Sequence, residues 1–177
     1  MDGICKIKNK DDWVVFDNSF NEILTPQIIN FLSNFSKIKF GGEFNQTVDI
    51  SDDDSPTGKS SILPNSITHL SFSGIFNQKV DISDEDSPTG KSSILPESLT
   101  YLEFGGSFEQ SVTYQTESSQ NGKSPTLLPN SLTDLKLGYF FNLPILVFPT
   151  SLKRIIIPSE YPYYIPDYIE VIKYFWY

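Results

Sequence analysis

The chain has 177 residues, 38% of them hydrophobic, with 14 Phe, 9 Tyr and 2 Trp, and a formal net charge of -9. That apolar content builds a core in one domain, residues 1-177, and excludes a disordered chain. The acidity argues against nucleic acid and anionic membrane surfaces as partners, and the single cysteine, Cys5, excludes a disulfide framework or a cysteine zinc site.

No apolar run reaches the roughly 18 residues of a membrane span. The start, Met1 to Lys10, has no signal-peptide apolar region. The expected location is intracellular and reducing: the cytoplasm, or a virion if the source is viral.

In chain order, residues 1-12 form a polar lead whose Lys6–Asp12 run is expected to cap one end of the fold. From Trp13 onward the sequence repeats. Paired apolar anchors four residues apart recur as Phe16/Phe20, Phe40/Phe44, Phe72/Phe76, Phe104/Phe108, Leu137/Phe141 and Ile157/Tyr161. Their spacings of 24, 32, 32, 33 and 20 describe a 20–24-residue unit, lengthened by an insertion in three copies. Six units fill residues 13-160, and a half unit follows in 161-177.

The segment before each first anchor alternates, as in Leu70-Ser71-Phe72, Leu102-Glu103-Phe104 and Leu135-Lys136-Leu137. Period-two alternation over so few residues predicts a short half-buried strand. Pro-Asn-Ser before it and Gly after it are turn chemistry. No window shows helical periodicity. One strand per unit, always in one direction, predicts a mostly β fold: a right-handed parallel β solenoid of six units plus a half unit, with long edge loops.

The motifs Phe44-Asn45-Gln46, Phe76-Asn77-Gln78 and Phe141-Asn142-Leu143-Pro144-Ile145, with the recurring Leu-Pro-Asn-Ser-Leu-Thr, resemble the FNIP repeat. That family has leucine-rich-repeat-like units and occurs in social amoebae and giant viruses of amoebae. The resemblance covers residues 13–174. It departs from the family pattern where the proline after Phe-Asn-x is replaced by Thr47, Lys79 and Ser111. It implies a protein-interaction scaffold with no inherited catalysis. Some members add an F-box, and the short lead before Trp13 leaves none expected here.

Val48–Pro64 and Val80–Pro96 are identical at sixteen of seventeen positions, 32 residues apart. Each holds an acidic run and then Gly-Lys-Ser. A phosphate-binding loop also needs an upstream glycine leading into a helix. Acids stand upstream here, among them Asp54 and Asp86, so nucleotide binding is not expected. Eight acids against Lys59 and Lys91 give the two inserts a net -6 of the chain's -9. They read first as solvated loops. The functional alternative is calcium, a hard cation suited to Asp49, Asp52, Asp54, Asp81, Asp84 and Asp86, because a solenoid stacks one insert on its twin. The spacing is not that of an EF-hand, and no other cofactor is expected.

The outward strand positions are the candidate partner site: Lys37 and Lys39, His69 and Ser71, Tyr101 and Glu103, Asp134 and Lys136, then Arg154 and Ile156. On a solenoid they line the concave sheet, and their mixed charge suits a polar protein rather than RNA or DNA. His69, the sole histidine, reads as an exposed surface residue. Neither a nucleophile–base–acid set nor a glycosidase carboxylate pair stands out, so no residue is assigned catalysis. Between Tyr161 and Tyr177, eight of 17 residues are aromatic. Tyr174, Phe175, Trp176 and Tyr177 are expected to be a docking segment, for a second copy or another protein, or a cap. Aligning Ile165–Tyr174 with Phe148–Ile157 makes Ile172 and Tyr174 a seventh strand of the ladder.

Overall fold

The computed structural model describes residues 5–8, 13–50, 60–82, 92–113 and 126–175. The elements in order are β1 (Cys5–Lys8), β2 (Trp13–Phe16), α1 (Pro26–Leu32), β3 (Lys37–Phe40), β4 (Asp49–Ile50), β5 (Ser60–Ser61), β6 (His69–Phe72), β7 (Asp81–Ile82), β8 (Ser92–Ser93), β9 (Tyr101–Phe104), β10 (Asp134–Lys136), β11 (Arg154–Pro158) and β12 (Glu170–Tyr174). One eight-stranded sheet runs β1-β2-β3-β6-β9-β10-β11-β12. From β2 to β12 all seven strands are parallel, in the same order as the sequence, as the repeat reading requires. Two short antiparallel pairs, β4–β5 and β7–β8, flank the acidic inserts in sequence.

The anchors form two columns inside the sheet. Phe16, Phe40, Phe72 and Phe104 stack with centroids 4.8, 5.4 and 5.9 Å apart. Phe20, Phe44, Phe76, Phe108, Phe141 and Tyr161 continue as a second column at 5.8 to 6.3 Å. Each unit adds a ring to both columns or an aliphatic in its place, so each core is closed only by its neighbours. Offset-stacked rings at these distances add to the burial of their apolar area.

The repeat's polar letters also serve the ladder. Asn21 Oδ1 accepts from the Asn45 backbone N–H (2.9 Å), Asn45 Oδ1 from that of Asn77 (2.9 Å), and Asn77 Oδ1 from that of Glu109 (2.9 Å). The Ser-Leu-Thr segment does the same on the other edge. Thr68, Thr100 and Thr133 each donate a hydroxyl to the preceding unit's backbone, at Ser36, Thr68 and Thr100. Such bonds satisfy turn carbonyls and amides that would otherwise face a dry gap between rungs. The turns themselves touch so closely that a Cβ on Gly138 would overlap the Gly105 carbonyl. Gly74, at φ 58°, sits equally close to the Gly42 carbonyl.

Three expectations need correction. A helix exists, although no periodicity announced it: α1 has seven residues, fewer than two full turns show a pattern over. Its start was nonetheless readable, because Thr25 Oγ1 accepts from the Ile28 N–H and Pro26 occupies the first turn. Second, the cap expected at Lys6–Asp12 is placed only in part. In the lead, Cys5–Lys8 adds an antiparallel edge strand to β2, and residues 9–12 lie outside the described residues. Third, the seventh strand exists but is shifted by one. Val171, not Ile172, pairs with Ile155, and Tyr174 pairs with Pro158. A one-residue slip exchanges the two faces of a strand, which carries Tyr174 from the core columns to the outer row.

Candidate partner-binding face

The outward side chains form two rows across the parallel strands. In register, the first runs Trp13, Lys37, His69, Tyr101, Asp134, Arg154, Glu170, and the second Val15, Lys39, Ser71, Glu103, Lys136, Ile156, Ile172. The burial pattern alternates accordingly in β2, β3, β9 and β10, and Ile38, Leu70, Leu102, Leu135 and Ile155 are fully buried beneath. The ten concave positions expected from the sequence therefore share one face.

They are not equivalent on it. In the middle and toward the C-terminal end the charges neutralise one another. Lys136 Nζ donates to Glu103 Oε1 at 2.6 Å, while Glu103 Oε2 accepts from Ser71 (2.9 Å) and Tyr101 (3.2 Å). Arg154 pairs with Asp134 through Nη2 and through Nε at 2.7 Å, and Thr133 Oγ1 donates to the other Asp134 oxygen. Burial alone would raise the Glu103 pKa. The Lys136 hydrogen bond and charge, the Ser71 bond and the Lys39 charge outweigh that and hold it below its ordinary 4.5. Burial first, and then Glu103, push Tyr101 up to about 12.

At the other end aromatic rings replace ion pairs. His69 stacks on Tyr101 at 5.7 Å and meets the edge of Trp13 at 5.9 Å. Trp13 and His69 lie two strands apart, so their rings meet across the intervening strand β3. His69 is thus half-buried rather than an exposed surface residue, and burial and then Lys37 lower its pKa below 6.5, against Asp134. Trp13 and Val15 were missed as members of this face. The alternation of Trp13-Val14-Val15-Phe16 carried the same signal as the later strands. Ser71 needs the opposite correction: it is 1% exposed, covered by its neighbours and spent on Glu103. A partner touches what surrounds it.

Two clefts flank the second row at the glycine turns. One of about 510 Å³ lies between Glu103, Lys136, Ile156, Tyr139, Tyr174 and the turn backbones at Gly105 and Gly138. The other, about 320 Å³, lies between Val15, Lys39, Phe40 and the Gly41–Gly42 turn, with Asp17 and Asn18 on its far side.

The remaining candidates are placed less completely. Tyr174 is half-buried, its hydroxyl donating to the Leu137 carbonyl at 3.0 Å, so it folds back on its own chain. Burial raises its pKa. Phe175 is 64% exposed, and Trp176 and Tyr177 lie outside the described residues. Asp49 and Asp81 open β4 and β7 at equivalent positions. Asp52, Asp54, Asp84 and Asp86 lie outside the described residues. Among the described residues no three His, Cys, Asp or Glu come together as a metal site, and no helix is long and apolar enough to cross a membrane.

Residues 124–160, which hold Phe141-Asn142 and the strands β10 and β11, match the family model of the FNIP repeat. The match falls on the units whose Phe-Asn-Leu-Pro and Phe-Pro-Thr-Ser-Leu strings are least altered, while the inserts interrupt the earlier ones. Among solved structures, that of CroV588, a novel circular LRR protein, is similar at a TM-score of 0.50 and 31% sequence identity. The similarity covers 81% of this chain and 20% of that one, so this chain spans about a fifth of that protein's length. The leucine-rich-repeat-like solenoid read from the sequence is thereby shown. No curated protein matches the chain.

Proposed function

We propose that the chain is a non-catalytic interaction scaffold whose concave sheet receives a protein partner, in the cytoplasm or in a virion. The observation that supports this most is the row Trp13–His69–Tyr101. Three rings in contact present amphipathic area on a sheet held rigid by two stacked columns, and aromatic side chains carry interface energy well. Tyr101→Asp should abolish capture of the partner from native cells, while Asn142→Asp, at an exposed turn off this face, should not. Equal loss from both variants, or from neither, would overturn the reading.

The exposed Phe175, beside exposed Tyr164 and Tyr168, favours a second surface at the C-terminal edge, where a second copy or another protein docks. Deleting Phe175–Tyr177 should weaken association with the melting temperature retained, and unchanged association would remove that surface. A calcium-dependent module built on the two acidic inserts is the alternative from another class. Saturating calcium at 100 times its dissociation constant adds about 2.7 kcal/mol to a folded binder. A melting temperature identical in calcium and in chelator would discard it.

A further inference from the structure

Building on the concave sheet as the partner face, we propose that its N-terminal end, around Lys37 and Lys39, docks an acidic stretch of the partner protein in extended conformation. The two ends of this face differ in how their charges are spent. Glu103 and Asp134 are each held by a cation of the neighbouring strand. Lys37 and Lys39 make no side-chain hydrogen bond or ion pair with any described residue, although both are only half-exposed on a face shared with Glu103, Asp134 and Glu170. On this face β2 presents Trp13 and Val15 beside Lys37 and Lys39 of β3, with no acid on either strand. In a chain of net charge -9 this is a local excess of positive charge, and it lies on the face assigned to binding.

The spacing selects the partner's shape. Lys37 and Lys39 are two residues apart on one strand, about 6.6–6.8 Å along it, which is the spacing of alternate side chains in any other strand. A partner segment with Asp or Glu at every second position sets successive carboxylates over successive lysines, while its intervening residues point away from the face. The cleft beside Lys39 gives such a segment room to enter at the Gly41–Gly42 turn. A nucleic acid fits less well, because its phosphates continue past the patch into a protein surface that is otherwise acidic.

The test uses the full chain and a dye-labelled peptide of alternating Glu and Thr, read by fluorescence anisotropy at low ionic strength, with a Lys-Thr peptide and oligothymidylate as comparators. The Glu-Thr peptide should bind saturably and weaken as salt screens the contact. Reversing both charges, Lys37→Glu with Lys39→Glu, should weaken it at least about tenfold, or about 1.4 kcal/mol. Lys79→Gln, at an exposed lysine outside the sheet, should leave it within about twofold. Circular dichroism melts verify that the double variant is folded. Absence of saturable binding, equal affinity of the double variant, or tighter binding of oligothymidylate would overturn the proposal. A native partner kept by the double reversal but lost with Tyr101→Asp would overturn it while leaving the scaffold reading intact.

Discussion

From β3 to β10 the solenoid is a regular ladder, and at β12 it is not. In the middle, every inward pair is apolar and lies between two like rungs, as Leu70 and Phe72 do between Ile38/Phe40 and Leu102/Phe104. Asn45 and Asn77 each accept two hydrogen bonds from the next unit. At the last rung the positions in line with Ile155 and Ile157 are Val171 and Lys173. Val171 and Ile172 are 40% and 39% exposed, so neither face of β12 is strongly buried. The asparagine ladder has already ended one unit earlier, where Glu109 takes the asparagine position, and it does not resume at the last rung. The residue that should donate to Asn142 is Pro162, which has no N–H. The difference teaches that a repeat's register is fixed by burial between rungs. Where burial fades, single contacts such as the Tyr174 hydroxyl on Leu137 set it instead.

The largest test of that contrast is a pair of truncations. Phe76→Ala opens a cavity between two stacked rings and should cost about 3–5 kcal/mol in denaturant unfolding. Ile172→Ala, already exposed, should cost less than about 1 kcal/mol. Comparable losses would mean that β12 is as firmly held as the middle rungs.

A smaller gap should separate two asparagines of the same motif. Asn77→Ala removes the acceptor of the Glu109 backbone N–H and the Gln110 side-chain amide and should cost about 0.5–1.5 kcal/mol. Asn142→Ala, exposed and without a rung, should stay within about 0.5 kcal/mol. Thermal melts of the two variants side by side decide whether the asparagine works as a ladder or as a local turn residue.

The smallest effect is acid sensitivity. Glu103 is more acidic folded than unfolded, so its contribution is complete above 4.5 and is lost as pH falls from there through its lower folded pKa. His69 adds in the same direction: below 6.5 the unfolded chain takes its proton first, which favours unfolding. Glu103→Gln should flatten the lower part of the stability–pH curve and His69→Gln the upper part. An unchanged curve in Glu103→Gln would show that the Lys136 pair contributes nothing measurable.

The sequence by itself determined the solenoid, the strand positions and the two columns, because a ladder repeats its local rule in every unit and the anchors mark each copy. It also determined which residues share the concave face, since alternation alone separates Tyr101 and Glu103 from Leu102 and Phe104. Only the tertiary structure decided how those residues spend themselves. That Ser71 is buried under Glu103, that Lys136 and Arg154 are neutralised while Lys37 and Lys39 are not, and that Trp13 reaches His69 over an intervening strand all depend on contacts between units 20 to 56 positions apart. Periodicity says which way a side chain points. Whether it meets a partner there depends on what the neighbouring rung places opposite it, and at β12 on a register that no repeat enforces.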